Sequence, residues 1–170
     1  MYRAKDGRKI VVRRATREDV EPAARLWQAL ADERRYIAAE RVSNEQKDRW
    51  TKSIDDRAAL WATAEVDDEL VGWLSLVRYG DLEKTRHLRN LGMGVARAFR
   101  GIGVGTALMD YAIKWARRKR VEKIVLSVFS TNHRAAGLYR KFGFVAEGVR
   151  KKQFVINGKY VDEVLMGLFL

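Results

Sequence analysis

The chain of 170 residues contains no cysteine, one proline and two histidines. The lack of cysteine excludes disulfide bonds and thiolate-bound metal ions, and it favours a cytoplasmic setting. His87 and His133 lie too far apart in the sequence to suggest a metal site. No apolar run approaches the roughly 20 residues that a membrane-spanning helix needs, and residues 1–9 lack the apolar segment of a signal peptide. We therefore expect a single domain over residues 1–170, with no metal and no membrane partner.

Positive charge, by contrast, is abundant, and the formal net charge is +12. The densest basic runs are residues 117–120 and 150–152. These runs would suit nucleic acid or an acidic protein surface. In the interpretation that we favour, the first run complements the negative end of its helix and is otherwise a solvated face. A positive field also attracts polyanionic small molecules, so the charge does not require a macromolecular partner.

Residues 100–106, with the sequence Arg-Gly-Ile-Gly-Val-Gly-Thr, are the most informative segment. They follow an apolar run and precede a helical pattern that carries Leu108, Ala112 and Trp115 on one face. Glycines let a backbone approach a ligand closely. The first turn of the following helix presents N–H groups without intrahelical partners, and such a helix start attracts anions, above all phosphates. The segment therefore predicts a phosphate-binding loop.

Two common nucleotide-binding loops do not fit this segment. A P-loop needs a lysine directly after its last glycine, and none stands near Gly105. A dinucleotide-binding fingerprint needs Gly-x-Gly-x-x-Gly, whereas Gly101, Gly103 and Gly105 are spaced two by two. The ligand that carries the phosphate must therefore be inferred from the segments that follow the loop.

A second motif follows the glycine loop. Lys123–Phe129 is a β-branched, apolar run typical of a strand, and Gly143 stands where a helix would end in a left-handed cap. Between them lies the pattern Asn132-x-x-Ala-x-x-Leu-Tyr-x-Lys-x-Gly-Phe. Together with Arg100-x-x-Gly103-x-Gly105, this pattern resembles the GNAT superfamily of N-acetyltransferases. The resemblance extends from residue 10 to the C-terminus.

The resemblance implies an α/β (α+β) fold with a mixed, mostly antiparallel central sheet of about seven strands, flanked by helices on both faces. The apolar patterns agree with this fold. They predict helices at residues 20–31 and 33–54, after the glycine loop and after Asn132. They predict strands at residues 10–14, 60–66, 70–77, 88–96, 123–129, 145–149, 154–156 and 160–170.

The resemblance also implies that acetyl-CoA is the acetyl donor. In the family, the strand before the glycine loop parts from its neighbour and pairs with the pantetheine arm, a role that falls on residues 94–97. The N–H of Val95 becomes the oxyanion donor, and the amides of residues 100–106 hold the pyrophosphate. The implied cofactor-binding residues are Val95, Ala96, Arg97, Arg100, Gly101, Ile102, Gly103, Val104, Gly105, Thr106 and Asn132. Three alternatives stay open: an ordinary core strand at 91–95, a surface Arg100 without contacts, and Asn132 as an N-cap only.

For the chemistry, the resemblance implies that the hydroxyl of Tyr139 protonates the departing thiolate. The alternative is a core tyrosine packed beside Phe142. The chain departs from the family at the general base, because many relatives carry a glutamate on the strand where Arg89, Asn90 and Leu91 stand here. We assign no base. The remaining candidates are interpreted as solvated surface or turn residues: Glu65, Asp81, Glu83, His87, Asp162 and Glu163.

These features predict an N-acetyltransferase that moves an acetyl group from acetyl-CoA to a primary amine of a protein N-terminus, a lysine or a small molecule. Transfer should be direct, because no cysteine can form an acyl-enzyme. The acceptor site is expected among residues 33–54, 78–86 and 153–160. The rival hypothesis is a non-catalytic acyl-CoA-binding or nucleic-acid-associated module on the same fold. A homodimer is left open, and a nucleic-acid partner is open but not favoured.

Overall fold

A computed structural model describes residues 1–38 and 41–170 of the protein. The strands are β1 (Tyr2–Arg3), β2 (Lys9–Arg14), β3 (Leu60–Val66), β4 (Glu69–Arg78), β5 (Leu88–Val95), β6 (Lys123–Phe129), β7 (Val145–Ile156) and β8 (Lys159–Phe169). They form one eight-stranded sheet in the order β1-β2-β3-β4-β5-β6-β8-β7. Every neighbouring pair is antiparallel except β5 and β6. The predicted mixed, mostly antiparallel sheet is confirmed.

Helices cover both faces of this sheet: α1 (Val20–Asp32), α2 (Asn44–Asp55), α3 (Val104–Arg118) and α4 (His133–Lys141). On one face, α1 and α2 pack around a cluster of tryptophans, Trp27, Trp50, Trp61 and Trp73. On the other face, α3 and α4 cover the larger core, which includes Leu108, Met109, Ile124 and Phe144. We call these two sides the α1 face and the α3 face. Burial of apolar side chains on both faces is the main stabilising contribution to such a sandwich.

The predicted helix over residues 33–54 is wrong in its first half. Residues 33–38 and 41–43 are not helical, while Ala39 and Glu40 lie outside the described residues. Helix α2 begins at Asn44 because the Ser43 hydroxyl accepts a hydrogen bond from the Gln46 N–H at 3.2 Å and caps it. Ile37 nevertheless packs against the tryptophan cluster from its non-helical segment. Burial in the tertiary structure, rather than helical periodicity, accounts for the apolar residue there.

Two strand predictions also change. The short strand β1 was not predicted, and it pairs with β2 through Tyr2 and Ile10. The separate strands predicted at 145–149 and 154–156 are one strand, β7, whose register shifts between Arg150 and Phe154. A bulge of this kind lets a strand carry extra residues without losing its partner. The basic run at 150–152 is therefore part of the β7–β8 hairpin rather than a loop.

Candidate active site

The site is centred on an opening between β5 and β6. These parallel strands pair only through Leu88, Asn90 and the residue between them. Beyond Asn90, β5 keeps its pairing with β4, and β6 keeps its pairing with β8. The two strands therefore part, and residues 91–95 of β5 face residues 126–129 of β6 across a gap. The parting implied by the resemblance is present.

The backbone of Val95 faces this gap. The N–H of Ala96 donates to the Val71 carbonyl of β4 at 2.8 Å. Because backbone groups alternate sides along an antiparallel ladder, the N–H and C=O of Val95 point away from β4 and toward the gap. The Ala96 carbonyl accepts the Phe99 N–H at 2.9 Å, so both backbone groups of Ala96 are used within the chain. Val95, and not Ala96, contributes an open backbone donor.

The glycine loop joins the end of β5 to the start of α3. Gly101 and Gly103 have φ values of +90° and +116°, which side-chain-bearing residues rarely adopt. Helix α3 has no side-chain cap at its N-terminus, and the N–H of Ala107 is the first to bond, to the Gly103 carbonyl at 3.0 Å. In the described part of the chain, the N–H groups of residues 101–106 make no hydrogen bond of good geometry. They form a run of open donors at a helix N-terminus.

The residues in and beside the glycine loop differ in how far their side chains are exposed to solvent. Arg97 and Thr106 are exposed, whereas Val104 is buried in the core. The Ile102 carbonyl accepts a hydrogen bond from the Lys5 N–H at 2.8 Å, which connects the loop to the turn between β1 and β2. A cation missed by the sequence analysis is Arg134 of α4, whose Nη1 atom lies 4.0 Å from the Cβ position of Gly101. Nothing in the local sequence separates it from the other exposed cations.

Arg100 is not the contact-free surface arginine that one alternative described. Its Nη1 and Nη2 atoms donate to the two Glu33 oxygens at 2.8 and 2.6 Å, and its Nε donates to the Val95 carbonyl at 3.0 Å. Its backbone N–H donates to Arg97 at 3.4 Å. This residue therefore fixes the end of β5 to the segment after α1. Its side chain and its amide are both engaged, so the open donors begin at Gly101.

Helix α4 has Asn132 as its N-cap and carries Tyr139 toward its C-terminal end. The Asn132 side chain accepts a hydrogen bond from the Ala135 N–H at 3.2 Å and caps α4, while its contact with the cofactor stays a prediction. Leu138 packs so closely on the first turn of α3 that a Cβ at Gly105 would lie 3.0 Å from its Cδ2. This close contact favours a small residue at position 105 and packs the two helices together.

Tyr139 lies in the core on the α3 face. It is 6% exposed, and its ring centroid is 5.8 Å from that of Phe144, rather than beside Phe142 as one alternative held. Burial raises the pKa of its hydroxyl to about 12. Within the described residues, no side chain or backbone group hydrogen-bonds to this hydroxyl. The hydroxyl is therefore protonated near neutral pH.

Arg89, one of the three residues at the start of β5 where the resemblance implies a glutamate, has a structural role. It is 8% exposed and donates to the carbonyls of Ala58, Arg86 and Leu88 at 3.0, 2.8 and 2.7 Å. Burial, and then the neighbouring charge of Arg78, lower the pKa of its guanidinium. The N-terminal end of β5 therefore supplies no proton acceptor.

Among the candidate bases, Glu163 differs from the prediction. Glu65 pairs with Arg13, Asp162 pairs with Lys151, and Asp81, Glu83 and His87 border solvent. Glu163, interpreted as solvated, is instead 7% exposed and receives a hydrogen bond from Arg150. Its position opposite Phe129 at the end of β6 buries it, which the local sequence did not reveal.

Over residues 1–38 and 41–170, no three histidine, aspartate or glutamate side chains form a group that would hold a metal ion. In the same residues, no helix combines the length and the apolar character needed to cross a membrane.

Comparison with known proteins agrees with this geometry. Residues 23–144 match the sequence profile of the Acetyltransferase (GNAT) family. The L-amino acid N-acetyltransferase AaaT of Escherichia coli K12 is 31% identical over 92% of this chain and 96% of its own length. The crystal structure of a ribosomal-protein-alanine N-acetyltransferase from Brucella melitensis superposes with a TM-score of 0.85, at 25% identity and with 94% and 99% of the two chains covered. The structure of yncA from Salmonella typhimurium with acetyl-CoA has the same fold, with a TM-score of 0.86 at 20% identity over 95% and 94% of the chains. The chain therefore belongs to the acetyltransferase (GNAT) family, whose enzymes take an acetyl group from acetyl-CoA and place it on an amine.

Proposed function

We propose that this enzyme transfers the acetyl group of acetyl-CoA directly to a primary amine of a protein N-terminus, a lysine or a small molecule. The observation that carries this proposal is the opening between β5 and β6, with open backbone donors at the end of β5 and in the glycine loop. The donors are the outward-facing N–H of Val95 and the open amides of the glycine loop, and the buried hydroxyl of Tyr139 on α4 is the third group that we assign to the reaction. Each group supplies a different requirement of acyl transfer.

The glycine loop is suited to the diphosphate of the donor. Residues 101–106 offer consecutive N–H donors, and the dipole of α3 adds positive potential at the same end. The guanidinium of Arg134 stands at the edge of the loop and adds charge for a phosphate oxygen. Donor binding therefore rests mainly on backbone groups, which explains why glycines rather than specific side chains fill this segment.

At the gap, the Val95 N–H is placed to stabilise the oxyanion that forms when an amine attacks the thioester carbonyl. One such donor contributes roughly 3–4 kcal/mol to transition-state stability. The Val95 carbonyl is held by Arg100, which in turn is held by Glu33. This chain of contacts restrains the end of β5, so that the donor N–H does not have to be ordered during the reaction.

Tyr139 is the proposed general acid. A neutral amine attacks the carbonyl carbon, the N–C bond forms, and the C–S bond breaks. The sulfur leaves with the hydroxyl proton of Tyr139, and the proton shed by the nitrogen restores the tyrosine. Since burial raises the pKa of Tyr139 to about 12, the hydroxyl is protonated near neutral pH and can act as a donor.

Replacing this hydroxyl tests the proposal. We expect Tyr139→Phe to lower turnover by on the order of 10²-fold, the low end for general acid catalysis, while acetyl-CoA still binds. Thiol release with a panel of amines, amino acids, polyamines and N-terminal peptides measures turnover, and calorimetry measures donor binding. Tyr111→Phe on α3 is the matched control, because Tyr111 also packs against the core of the α3 face.

Equal turnover of Tyr139→Phe and the parent would remove Tyr139 from the mechanism. Acetyl-CoA binding without turnover on any acceptor, together with salt-sensitive nucleic-acid binding, would instead favour the non-catalytic module. No binding of acetyl-CoA would contradict the proposal at its first step.

A further inference from the structure

Glu163 and Arg150 lie on the α1 face of the sheet, level with the gap. A Cβ at Gly94 would point at Leu30 of α1, so Gly94 and, by alternation, Asn90 belong to this face. Asn90 pairs with Val125, and alternation along β6 then puts Phe129 on the same face. Phe129 stands opposite Glu163, and Glu163 stands opposite Arg150. The acidic side chain is thus one strand beyond the gap, at the level where β5 ends.

The two partners in this ion pair are buried to very different degrees. Arg150 Nη1 donates to Glu163 Oε2 at 2.9 Å. The Glu163 side chain is 10% exposed, whereas the Arg150 side chain is 56% exposed. Glu163 is therefore mostly buried beneath the surface, and one of its carboxylate oxygens accepts the hydrogen bond from Arg150. Arg150 stands above it with guanidinium donors that no other described group takes.

Charge balance around the gap disfavours a polycationic acceptor. The two carboxylates next to the gap, Glu33 and Glu163, each already have an arginine partner. Among the described residues, these two carboxylates leave no surplus of negative charge for a second or third ammonium group. The formal net charge of +12 also repels polycations from the whole molecule. An acceptor that carries one amine and one anionic group leaves this local balance unchanged.

The surface beside the ion pair is aromatic. Phe129 and Phe154 pack at 4.6 Å between ring centroids on the same face as Glu163. Phe154 lies opposite Val161, two residues before Glu163. An acceptor held by the ion pair would therefore place an adjacent apolar group against these rings.

We propose that Glu163 and Arg150 together bind an acceptor of the α-amino acid class that carries an apolar side chain. The acceptor carboxylate takes the open guanidinium donors of Arg150, and its amine donates to Glu163 beside the gap. An α-amino acid carries its amine and its carboxylate on one carbon. The protein holds the complementary groups, the Glu163 carboxylate and the Arg150 guanidinium, equally close, with 2.9 Å between Nη1 and Oε2. This inference rests on the proposed function and names its acceptor.

A matched acceptor series tests it: L-leucine, L-leucinamide and 3-methylbutylamine, which share one apolar side chain, with spermidine and an N-terminal peptide alongside. We expect the parent enzyme to use leucine best by kcat/KM. Arg150→Gln should lower kcat/KM for leucine by about 10- to 100-fold, as expected for the loss of a hydrogen bond to a charged group. The same variant should change kcat/KM for 3-methylbutylamine, which has no carboxylate, by a much smaller factor. Comparing variant with parent for each acceptor removes the difference in intrinsic reactivity between the amines.

The matched control is Lys151→Gln. Lys151 pairs with Asp162, one residue from Glu163, so this variant makes the same charge change on the opposite side of the strands. It should preserve the preference for leucine. Because Arg150→Gln leaves a buried carboxylate without its partner, the double variant Arg150→Gln/Glu163→Gln restores a neutral pair. It should melt near the parent temperature while still lacking the preference for leucine.

The outcomes separate this inference from the proposed function. Turnover that favours spermidine or the peptide in the parent, or an Arg150→Gln effect on leucine no larger than its effect on leucinamide and 3-methylbutylamine, overturns the inference and leaves the acetyltransferase proposal intact. No turnover with any acceptor overturns both.

Discussion

Replacement of Gly94 by alanine probes the packing that holds β5 in place. A Cβ at this position would lie 2.6 Å from Leu30 Cδ1, 2.8 Å from Trp73 Nε1 and 3.0 Å from Trp73 Cε2. Leu30 can rotate away from the new methyl group. Trp73 cannot easily do so, because it is 8% exposed and stacks on Trp61 at 5.8 Å between ring centroids. The indole or the strand must therefore move by several tenths of an ångström.

Two opposing effects set the size of the change. Overpacking of a core position typically costs about 1–3 kcal/mol. Replacing glycine by alanine in a strand also restricts the unfolded chain, which stabilises the fold by about 0.4–1 kcal/mol. The steric term is the larger, so we expect Gly94→Ala to lower the free energy of unfolding by about 1–2 kcal/mol. For a chain of this size, that corresponds to a fall in Tm of about 2–8 °C.

Thermal and urea unfolding measure this loss, and Gly137→Ala is the control. Gly137 lies inside α4, and a Cβ there meets no atom within 4 Å. Alanine in a helix is favoured over glycine by about 1 kcal/mol, so Gly137→Ala should raise the Tm. Turnover should fall in Gly94→Ala only, because only that change shifts the strand next to Val95. Equal or higher stability of Gly94→Ala would refute the packing of Trp73 across this glycine.

The remaining predictions concern the loop and the tyrosine. Gly103→Ala should cost about 1–3 kcal/mol of backbone strain at φ +116° and weaken acetyl-CoA binding in calorimetry; Gly80→Ala, at φ +73° in a distant loop, should leave that binding unchanged. Burial raises the pKa of Tyr139 from 10.0 to about 12, so its contribution to stability is complete below pH 10 and is lost as the pH rises through 12. Tyr139→Phe should remove about 3 kcal/mol of this alkaline sensitivity in urea titrations between pH 9 and 12. An identical alkaline profile for the two proteins would argue against burial as the cause.

Local patterns in the sequence were sufficient for several parts of the fold. The strands at 60–66 and 123–129 have the predicted bounds, because each is a short apolar run that ends at turn residues. Gly143 adopts the left-handed conformation that its position after a helix predicted, with φ +92°. Asn157 and Gly158 form the predicted turn with φ values of 50° and 74°. In each case the deciding interactions lie within a few residues, so the sequence contains them directly.

Tertiary structure decided which side chains meet at the site. Arg100 binds Glu33 across 67 positions of sequence, and Glu163 becomes buried only because β8 pairs with β6. The role of Arg89 likewise depends on carbonyl groups, including that of Ala58 in a distant segment. Burial and ion pairing depend on the neighbours that strand order supplies, and no local pattern encodes that order. The amino-acid sequence alone therefore determined the loop, the family and the donor, whereas the polar surroundings of the acceptor arose from contacts between distant strands.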